Sequence, residues 1–391
     1  MSSIGTTTNR SVGVIFGGPS PEHDVSILTG LQAARALVMA GRDMGAVEAI
    51  YWTKTGRFMS VDPSAEAAAF SEGPPRGSKE LRFVAQPGAG FLATKGGVLG
   101  GGKERPLDLA AVINCCHGGP GEDGALQAAL DLAEIPYTGP NAAGAALGMD
   151  KLAFGAVVNA AGLPSLPRCL VMPGSGPPSW ESRAGGPYIV KPRFGGSSIG
   201  IEIIGEWADV LRYLEMGGPH TAQGVVAEPY LAGAYDINVA VRSYPVLALS
   251  LFERALRSNE AGGILSYADK YLGGEGMVSA PRQLPADISA GLHKSLSEAA
   301  LQVARLVGAR GVWRIDFLVG DDESWWVNEV NTIPGSLSKY LWAGEAAVDF
   351  PTLLSDMVEE ALRRPSVQRS STGADGSALR SAAAIASKLG A

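Results

Sequence analysis

The sequence predicts an α/β protein built from two or three domains. Strand-like apolar segments alternate with helix-like segments through the first 140 residues, which is the pattern of a parallel sheet covered by helices. The chain has 391 residues, too many for one compact core. Its hydrophobic content of 46% and charged content of 18% are ordinary for a globular enzyme. We therefore expect several α/β units in one chain.

The first unit is predicted over residues 12–145, after a disordered N-terminus at 1–11. Its strand at 12–16 ends at a Gly-Gly pair, and Ser20 or Asp24 could cap the helix that follows. Residues 61–106 are rich in Gly, Pro and Ala, and we interpret them as a variable hairpin or loop insertion. The other predicted elements are helices at about 24–40 and 125–133, and strands at 46–51 and 110–114.

Two further units are predicted, at 146–232 and 233–364. An irregular stretch at 255–285 interrupts the last unit and is expected to form a lid. The tail at 365–391 is a low-complexity segment rich in Ser, Ala and Gly. The predicted elements are a helix that begins near 148–151, strands at 188–191, 224–228, 237–241 and 246–252, and a helix at 286–307.

The strongest chemical pattern lies in two strand-like segments, WRIDF and NEVNTIPG. Glu329 and Asn331 face one side of a strand because side chains alternate, and a hairpin could bring Asp316 to that side. Their oxygen atoms suit Mg²⁺, which keeps other positions for water and phosphate. Arg314 would add a fixed positive charge aimed at phosphate or at a developing oxyanion. The alternative is a surface hairpin with solvated charges, but the full set favours a magnesium-nucleotide site.

Three glycine-rich segments also predict ligand contacts. GGPSPEHDVS joins a strand to a helix and offers Glu22 to an ammonium group, although a simple Gly-Pro turn is the alternative. HGGPGEDG follows an apolar strand and could approach a ligand through its backbone, or form only a tight loop. Lys191 ends a strand beside a Gly/Ser loop, and Lys151 is a second lysine of this kind, so both could hold ATP phosphates. The GGPSPEHDVS segment does not fit G-x-G-x-x-G, and neither lysine lies in a Walker motif.

Composition excludes several classes of function. The net charge of −7 makes nucleic acid and acidic membrane surfaces poor partners. Adjacent Cys115 and Cys116 can hardly bridge each other, and their spacing beside His117 is wrong for zinc, so we expect core cysteines. No apolar run reaches the length of a membrane span, and the N-terminus lacks the apolar region of a signal peptide. A cytoplasmic protein is therefore expected.

The motifs together resemble the D-alanine–D-alanine ligase family of the ATP-grasp superfamily, over most of residues 12–360. They are GGPSPEHDVSILTG, HGGPGEDGALQ, PYTGPNAAGAALGMDK, VKPRFGGSSIG, AEPYLAG, DKY, WRIDF and NEVNTIPG, in the family's order. The resemblance implies a three-domain ATP-grasp fold with an N-terminal parallel-sheet (pre-ATP-grasp) domain, and ATP gripped between the second and third domains. It also implies ATP as cofactor with Mg²⁺, or Mn²⁺ in its place.

The resemblance further implies roles for individual residues. Glu22 would hold the first amino acid's ammonium group, linked to Ser197 and Tyr271, while Arg314 and the backbone near Gly335 would stabilise a tetrahedral intermediate. The implied nucleotide-binding residues are Lys151, Lys191, Glu228, which should lie by the adenine, Asp236, by the ribose, and Lys270. The implied metal ligands are Asp316, Glu329 and Asn331.

The chain departs from the family pattern at two informative positions. Gly195 stands where the family usually has an acidic residue, and Tyr340 lies where a serine helps to hold the second amino acid's carboxylate. The leading hypothesis is a ligase that joins two D-alanines through an acyl phosphate, for peptidoglycan precursors. The alternatives are an amide ligase with another acceptor, in a peptide or antibiotic pathway, and a non-catalytic nucleotide-binding protein. Small amino acids are the expected partners, and a homodimer is a family expectation.

Overall fold

The fold was analysed in a computed structural model that describes residues 10–41, 46–94, 103–180, 186–217, 221–256, 282–363 and 373–380. The strands are β1 (Ser11–Gly17), β2 (Val47–Trp52), β3 (Phe58–Val61), β4 (Lys79–Val84), β5 (Gly90–Thr94), β6 (Glu104–Pro106), β7 (Leu109–Asn114), β8 (Cys169–Val171), β9 (Tyr188–Pro192), β10 (Glu202–Ile204), β11 (Val225–Pro229), β12 (Tyr235–Arg242), β13 (Ala248–Ala255), β14 (Arg282–Gln283), β15 (Val312–Val319) and β16 (Trp325–Asn331).

The helices lie between these strands and after them. The α-helices are α1 (His23–Met39), α2 (Ala125–Ala133), α3 (Ala142–Met149), α4 (Lys151–Ala160), α5 (Trp207–Met216), α6 (Ala290–Leu306), α7 (Phe350–Arg363) and α8 (Ser377–Arg380). Short 3₁₀ segments are Ala67–Phe70, Gly119–Gly121, Thr221–Gln223, Gly335–Leu341 and Gly344–Ala346. None of the helices in the described ranges is long and apolar enough to cross a membrane.

The N-terminal sheet has seven strands in the order β6-β5-β4-β3-β2-β1-β7. β1 runs parallel to both β2 and β7, which confirms the predicted parallel core. Each of the strands β3 to β6 is antiparallel to the strand before it. The segment 61–106 therefore continues the sheet as a meander, whereas the sequence indicated only a hairpin or loop.

Two smaller antiparallel sheets follow. The order of the first is β10-β9-β11-β8, and the order of the second is β14-β13-β12-β15-β16. The predicted strands of this half are confirmed, and most of their ends lie within two residues of the predicted positions. The long helix predicted at 286–307 is α6. Along β15 the buried apolar side chains Trp313, Ile315 and Phe317 alternate with Arg314 and Asp316. This alternation fixes the polar side chains on the opposite face of the sheet.

The start of α1 differs from the prediction that Ser20 or Asp24 caps it. The N-cap residue is Glu22, whose side chain makes no capping hydrogen bond. Ser20 instead accepts from the Glu22 N–H at 3.2 Å and donates to the His117 carbonyl at 2.6 Å. The loop before α1 is thus fastened to the loop after β7, and the carboxylate of Glu22 remains available to the cleft. By contrast, Asp150 caps α4 through the N–H groups of Leu152 and Ala153, each at 3.1 Å.

The segment Gly335–Leu341 joins the C-terminal half of the chain to the N-terminal sheet. Leu337 and Leu341 are buried in the same apolar cluster as Phe16 of β1 and Leu37 of α1. Burying an aliphatic side chain of this size stabilises a fold by about 1.5–3 kcal/mol. This segment, which follows the β15–β16 hairpin, therefore packs against residues of both β1 and α1.

Candidate active site

The β15–β16 hairpin brings the predicted metal ligands together. Asp316 is the register partner of Glu329, and Arg314 is the partner of Asn331. The Asn331 side-chain amide donates to Asp316 Oδ2 at 3.0 Å. The prediction that a hairpin places Asp316 on the face of Glu329 and Asn331 is confirmed. Two carboxylates and one carboxamide are a donor set of hard oxygens, which fits Mg²⁺ or a similar divalent ion.

Arg314 is held against the same carboxylate. Its Nε and Nη2 atoms donate to the two oxygens of Asp316 at 2.7 and 2.6 Å, and both residues are buried. Burial opposes the charge of Arg314, but the ion pair with Asp316 outweighs it and raises the pKa of Arg314 well above its usual range. The guanidinium therefore stays charged, and it lines the cleft beside Glu329 and Gly335.

Lys151 and Lys191 lie on either side of the glycine-rich loop after β9. Lys151 donates to the Gly195 carbonyl at 2.5 Å, and its Nζ lies 3.8 Å from Glu329 Oε2. Burial lowers the pKa of Lys151, although the charge of Glu329 partly restores it. Lys191 lies 2.9 Å from Glu228 Oε1. Both lysines border the same groove as Glu329, so three charged groups face one space.

Glu228 is a buried carboxylate among cations. Besides Lys191, it pairs with Arg168, whose Nε lies 2.8 Å from Glu228 Oε1. Burial would raise the pKa of Glu228, but the charges of Lys191 and Arg168 lower it below its usual value. Sequence reasoning missed Arg168, because it follows a proline before a three-residue strand and belongs to no motif. Its guanidinium also donates to the Lys151 and Asn328 carbonyls, so it braces the lysine and the hairpin.

The loop before α1 meets the glycine-rich loop at Glu22. Ser197 donates to Glu22 Oε2 at 2.8 Å, and Glu22, which is 9% exposed, lines the cleft. A side chain at Gly196 would put its Cβ 2.5 Å from Glu22 Oε1, so the Glu22 carboxylate would have to move from its bond with Ser197. Ser197 itself has a left-handed backbone, with φ near 52°. The link between Glu22 and Ser197 that the resemblance implied is therefore present.

A second network joins the loop after β7 to the end of the hairpin. The carboxylate of Glu122 accepts from Gly118 N at 2.9 Å, Thr332 Oγ1 at 2.9 Å and Ile333 N at 3.0 Å. Burial, and then the charge of Glu22, raise the pKa of Glu122 to about 7. The sequence motif contained Glu122 without indicating these partners, which lie 210 and 211 residues away in the chain.

His117 belongs to the same network and is neutral. Its Nδ1 lies 2.8 Å from the Ile333 carbonyl, which can only accept, so Nδ1 carries the proton. Nε2 then accepts from Thr29 Oγ1 at 2.8 Å, and Thr29 accepts from Ser336 N at 3.1 Å. Burial lowers the pKa of His117 to about 4. Cys115 and Cys116 are fully buried beside it, so the expectation of core cysteines is confirmed.

One cleft therefore gathers most of the predicted site residues. It is lined by Glu22, Lys151, Ser197, Arg314, Glu329, Asn331 and Gly335, with His117 and Glu122 beside them. Lys191 of β9 borders the adjoining groove, whereas Glu228 of β11 is buried behind it and Asp236 lies on β12, both outside that lining. Lys270 and Tyr271 lie outside the described residues, as does most of the predicted lid. Gly195 lines the cleft without a side chain.

Tyr340 lies at the far side of Arg314. The Arg282 guanidinium stacks over its ring, 4.2 Å from the ring centroid. Burial, and then the charge of Glu253, raise the pKa of Tyr340 to about 12, so its hydroxyl stays protonated. The preceding residues Ser336 and Ser338 have left-handed backbones with φ near 50°. Tyr340, which departs from the family pattern, is thus in contact with Arg282, a residue that no sequence motif indicated.

Comparison with known proteins shows similarity along almost the whole chain. Residues 11–140 match a family model described as the D-ala D-ala ligase N-terminus, and residues 175–359 match one described as the D-ala D-ala ligase C-terminus. D-alanine–D-alanine ligase of Mycobacterium sp. (strain KMS) is 32% identical over 379 residues, which cover 92% of this chain and 98% of the relative. The ligase of Nocardia farcinica is 31% identical, with 91% and 98% covered.

Solved structures share the fold. The D-alanine–D-alanine ligase of Coxiella burnetii superposes with a TM-score of 0.72 at 23% identity, covering 91% of this chain and 94% of its own. The VanG D-Ala:D-Ser ligase of Enterococcus faecalis gives a TM-score of 0.67 at 22% identity, covering 90% and 100%. The predicted α/β class and ATP-grasp fold are confirmed by these likenesses.

Proposed function

This chain belongs to the D-alanine–D-alanine ligase family, and we infer that it is an ATP-dependent ligase that joins two D-alanines for peptidoglycan precursor synthesis. The observation that carries the inference is the cleft that brings Glu22 together with Arg314, Glu329 and Asn331, with Asp316 held by Arg314. A carboxylate is a poor acyl donor, and ATP overcomes this by converting it to an acyl phosphate.

We propose that Glu22 and Ser197 hold the first D-alanine. The carboxylate of Glu22 would pair with the ammonium group, and Ser197, 2.8 Å from Glu22, would fix the carboxylate's orientation. The substrate carboxylate then points towards Arg314 and Glu329 across the same cleft. Orienting the reacting groups in this way removes much of the entropic part of the barrier.

Phosphoryl transfer to that carboxylate would depend on the lysines and the hairpin. Lys151 and Lys191 would neutralise the phosphates, while Glu228, and Asp236 beside the ribose, would bind the nucleoside. Lys270 would add a further cation. Asp316, Glu329 and Asn331 would hold Mg²⁺, with Mn²⁺ as a substitute. The bound ion supplies Lewis-acid stabilisation of the transferring phosphoryl group.

Amide formation would use Arg314 and the backbone of Gly335. The amine of the second D-alanine attacks the acyl carbonyl, and negative charge develops on its oxygen. Arg314 and the Gly335 N–H would stabilise that charge, and removing one such donor typically raises a barrier by about 3–4 kcal/mol. Tyr271 would complete the wall between the substrates. No covalent nucleophile is required, and the buried cysteines play no part.

A second candidate function is a ligase of this family whose acceptor is not D-alanine. The Tyr340–Arg282 contact favours it, because a phenol and a guanidinium reshape the side of the cleft where the acceptor would bind. A non-catalytic role is disfavoured, since Lys151, Arg314 and Asp316 are all in place. We also propose that the enzyme acts in the cytoplasm, where ATP is supplied, and that it forms a homodimer.

The function is tested by phosphate release from Mg-ATP with D-alanine alone, followed by mass analysis of the product. Release with D-alanyl-D-alanine formed is the expected result. Release only after another amine or amino acid is added would favour the second candidate. ATP binding without release under any of these conditions would contradict both and support the non-catalytic role.

A further inference from the structure

Beyond Arg314, the five-stranded sheet carries polar side chains that the reaction described so far does not use. Glu253 on β13 is 3% exposed, and Asn238 on β12 is 6% exposed. The two are register partners, and Asn238 is also the partner of Asp316 on β15. Glu253, Asn238 and Asp316 therefore form one row across three adjacent strands, on the face that carries the proposed metal ligands.

Two oxygen atoms in this row have no hydrogen-bond donor within the described ranges, namely Glu253 Oε2 and Asn238 Oδ1. The other oxygen of Glu253 lies 3.7 Å from Arg282 Nη1, too far for a good hydrogen bond. Leaving a buried acceptor without a donor typically costs about 1–3 kcal/mol. The arrangement therefore suits a ligand that brings N–H donors and positive charge.

The charged groups around Glu253 connect it to the cleft through Arg314, which lines the cleft. Arg282 approaches it from β14, Arg314 and Asp316 face it from β15, and Tyr340 faces it from the 335–341 segment. Asp316 is already bound by Arg314 through two hydrogen bonds. An amine that enters between Arg314 and Tyr340 thus meets Glu253 as the carboxylate with an unused oxygen.

The second half of the ligase reaction needs such a group. An amino acid arrives as an ammonium ion, whose nitrogen has no lone pair and cannot attack a carbonyl. A positioned carboxylate near the amine can remove one proton, an effect worth typically about 10²–10⁴-fold in rate. Glu22, bound by Ser197, lines the part of the cleft where we have placed the first substrate.

We propose that Glu253 binds the ammonium group of the acceptor amino acid and accepts one of its protons. This assignment rests on the proposed ligase function. The proton moves from the ammonium nitrogen to Glu253 Oε2, which leaves a neutral amine. The nitrogen then bonds to the acyl carbon, and the bond from that carbon to the phosphate oxygen breaks. The phosphate departs with the electron pair and takes the second proton from nitrogen, and Glu253 later returns its proton to water.

Two further observations support the assignment. Burial raises the pKa of Glu253, although Arg282 and Arg314 oppose the shift, and a carboxylate with a raised pKa is a stronger base. Asn238 Oδ1 lies on the neighbouring strand, where it can accept a second N–H of the same ammonium group. The row therefore offers an anionic and a neutral acceptor for one cation.

Glu253→Gln tests the proposal in the full-length enzyme with two acceptors. D-alanine arrives protonated, whereas hydroxylamine is already neutral near neutral pH and traps the acyl phosphate as a hydroxamate. We expect dipeptide formation to fall by about 100-fold, with hydroxamate formation kept within about 3-fold of the unmodified enzyme. Raising the pH should recover dipeptide formation in the variant, because more of the acceptor is then free amine. Glu298→Gln, on the exposed face of α6, is the control.

The alternatives give different results. Equal loss with both acceptors would mean that Glu253 only stabilises Arg282, and unchanged dipeptide formation would mean that it is not used; either overturns the proposal. Glu253→Asp keeps the carboxylate and should restore part of the dipeptide rate if the glutamine variant is poorly folded. An unmodified enzyme that forms neither product would refute the proposed function, and the inference would fall with it.

Discussion

The two sides of the cleft differ in how completely their polar groups are paired. On the side of Glu22 and the β15–β16 hairpin, Ser197 donates to Glu22, Arg314 grips Asp316, and Glu122 accepts three hydrogen bonds. On the side of β13, Glu253 Oε2 and the Tyr340 hydroxyl are buried atoms without a hydrogen-bond partner in the described part of the chain. The polar groups of the first side are paired before any substrate binds. On the second side, we expect a bound substrate to supply the missing hydrogen-bond partners.

This difference is consistent with the order of the proposed reaction. The first D-alanine must be held in one orientation for phosphoryl transfer, and preorganised groups achieve that at little entropic cost. The acceptor binds later and brings its own charges, so open hydrogen-bonding positions in its wall become useful. The comparison predicts that variants on the paired side reduce both stability and catalysis, while variants on the open side change acceptor use alone.

The largest effect is expected for Asp316→Asn, which removes a proposed metal ligand and the partner of a buried arginine. Activity should fall by about 10²–10³-fold, as for other losses of transition-state electrostatics. The free energy of unfolding should fall by about 3 kcal/mol, because Arg314 would be left charged without its partner. Phosphate release and denaturant unfolding measure the two effects. Asp321→Asn, exposed in the turn of the same hairpin, is the control, and similar losses in that variant would remove the special role of Asp316.

A smaller effect is expected for Ser197→Ala. The hydroxyl donates to the charged Glu22, and such bonds contribute about 1.5–3 kcal/mol, so KM for the first D-alanine should rise about tenfold to hundredfold. KM for ATP should stay unchanged. Initial rates at varied D-alanine and ATP measure both values. Ser198→Ala is a matched control, because Ser198 shares the left-handed backbone; a similar rise in that variant would show that loop strain is responsible.

On the paired side, Glu122 should make the free energy of unfolding depend on pH. Folding raises the pKa of Glu122 from 4.5 to about 7, so the folded state binds a proton that the unfolded state has lost between these values. Stability from this group is therefore lost as pH rises through that window, by about 3 kcal/mol at most. Glu122→Gln should remove this fall, as measured by urea unfolding from pH 4.5 to 7.5.

His117 provides the opposite slope in an overlapping window. Its folded pKa is about 4, below the ordinary 6.5, so the unfolded state binds the extra proton and stability falls as pH drops. In His117→Gln only the Glu122 contribution remains, so the loss of stability towards pH 7 should become steeper. In Glu122→Gln only the His117 contribution remains, so stability should be lost only towards pH 4. Parallel curves in the two variants would contradict the charge states assigned to this network.

The smallest effect on stability is expected on the open side. Tyr340→Phe removes a hydroxyl that lies near Arg314 without a well-formed hydrogen bond and keeps the ring under Arg282, so the free energy of unfolding should change by less than about 0.5 kcal/mol. KM for the acceptor should rise a few-fold, while KM for the first D-alanine stays unchanged. Rates with saturating first substrate measure this. A large loss of stability would show that the hydroxyl is already used in the fold.

Patterns in the sequence predicted those parts of the site whose residues lie close together along the chain. Glu329 and Asn331 share a face because strand side chains alternate. The apolar residues on either side of Asp316 mark a second strand, so the two-residue period predicted the hairpin that pairs them. The bonds of Glu122 could not be predicted in this way, because its partners come from the other end of the chain. Arg282 opposite Tyr340 is likewise a product of tertiary packing between a two-residue strand and a 3₁₀ segment.

The meander within 61–106 was missed for a different reason. All three residues of β6 are exposed, and only Leu81 of β4 is buried, so these two strands carry little of the alternation that marks a half-buried sheet. Their pairing is supplied by the neighbouring strands of the sheet. The parallel core of β1, β2 and β7 is buried on both faces, and its continuous apolar runs were visible in the sequence.

The most direct test of two separate subsites is the dependence of phosphate release on D-alanine concentration, resolved into one KM for each alanine. The account predicts that Ser197→Ala raises only the first KM and that Tyr340→Phe raises only the second. If each variant raises both values by the same factor, the two sides of the cleft are one binding site and the account is wrong.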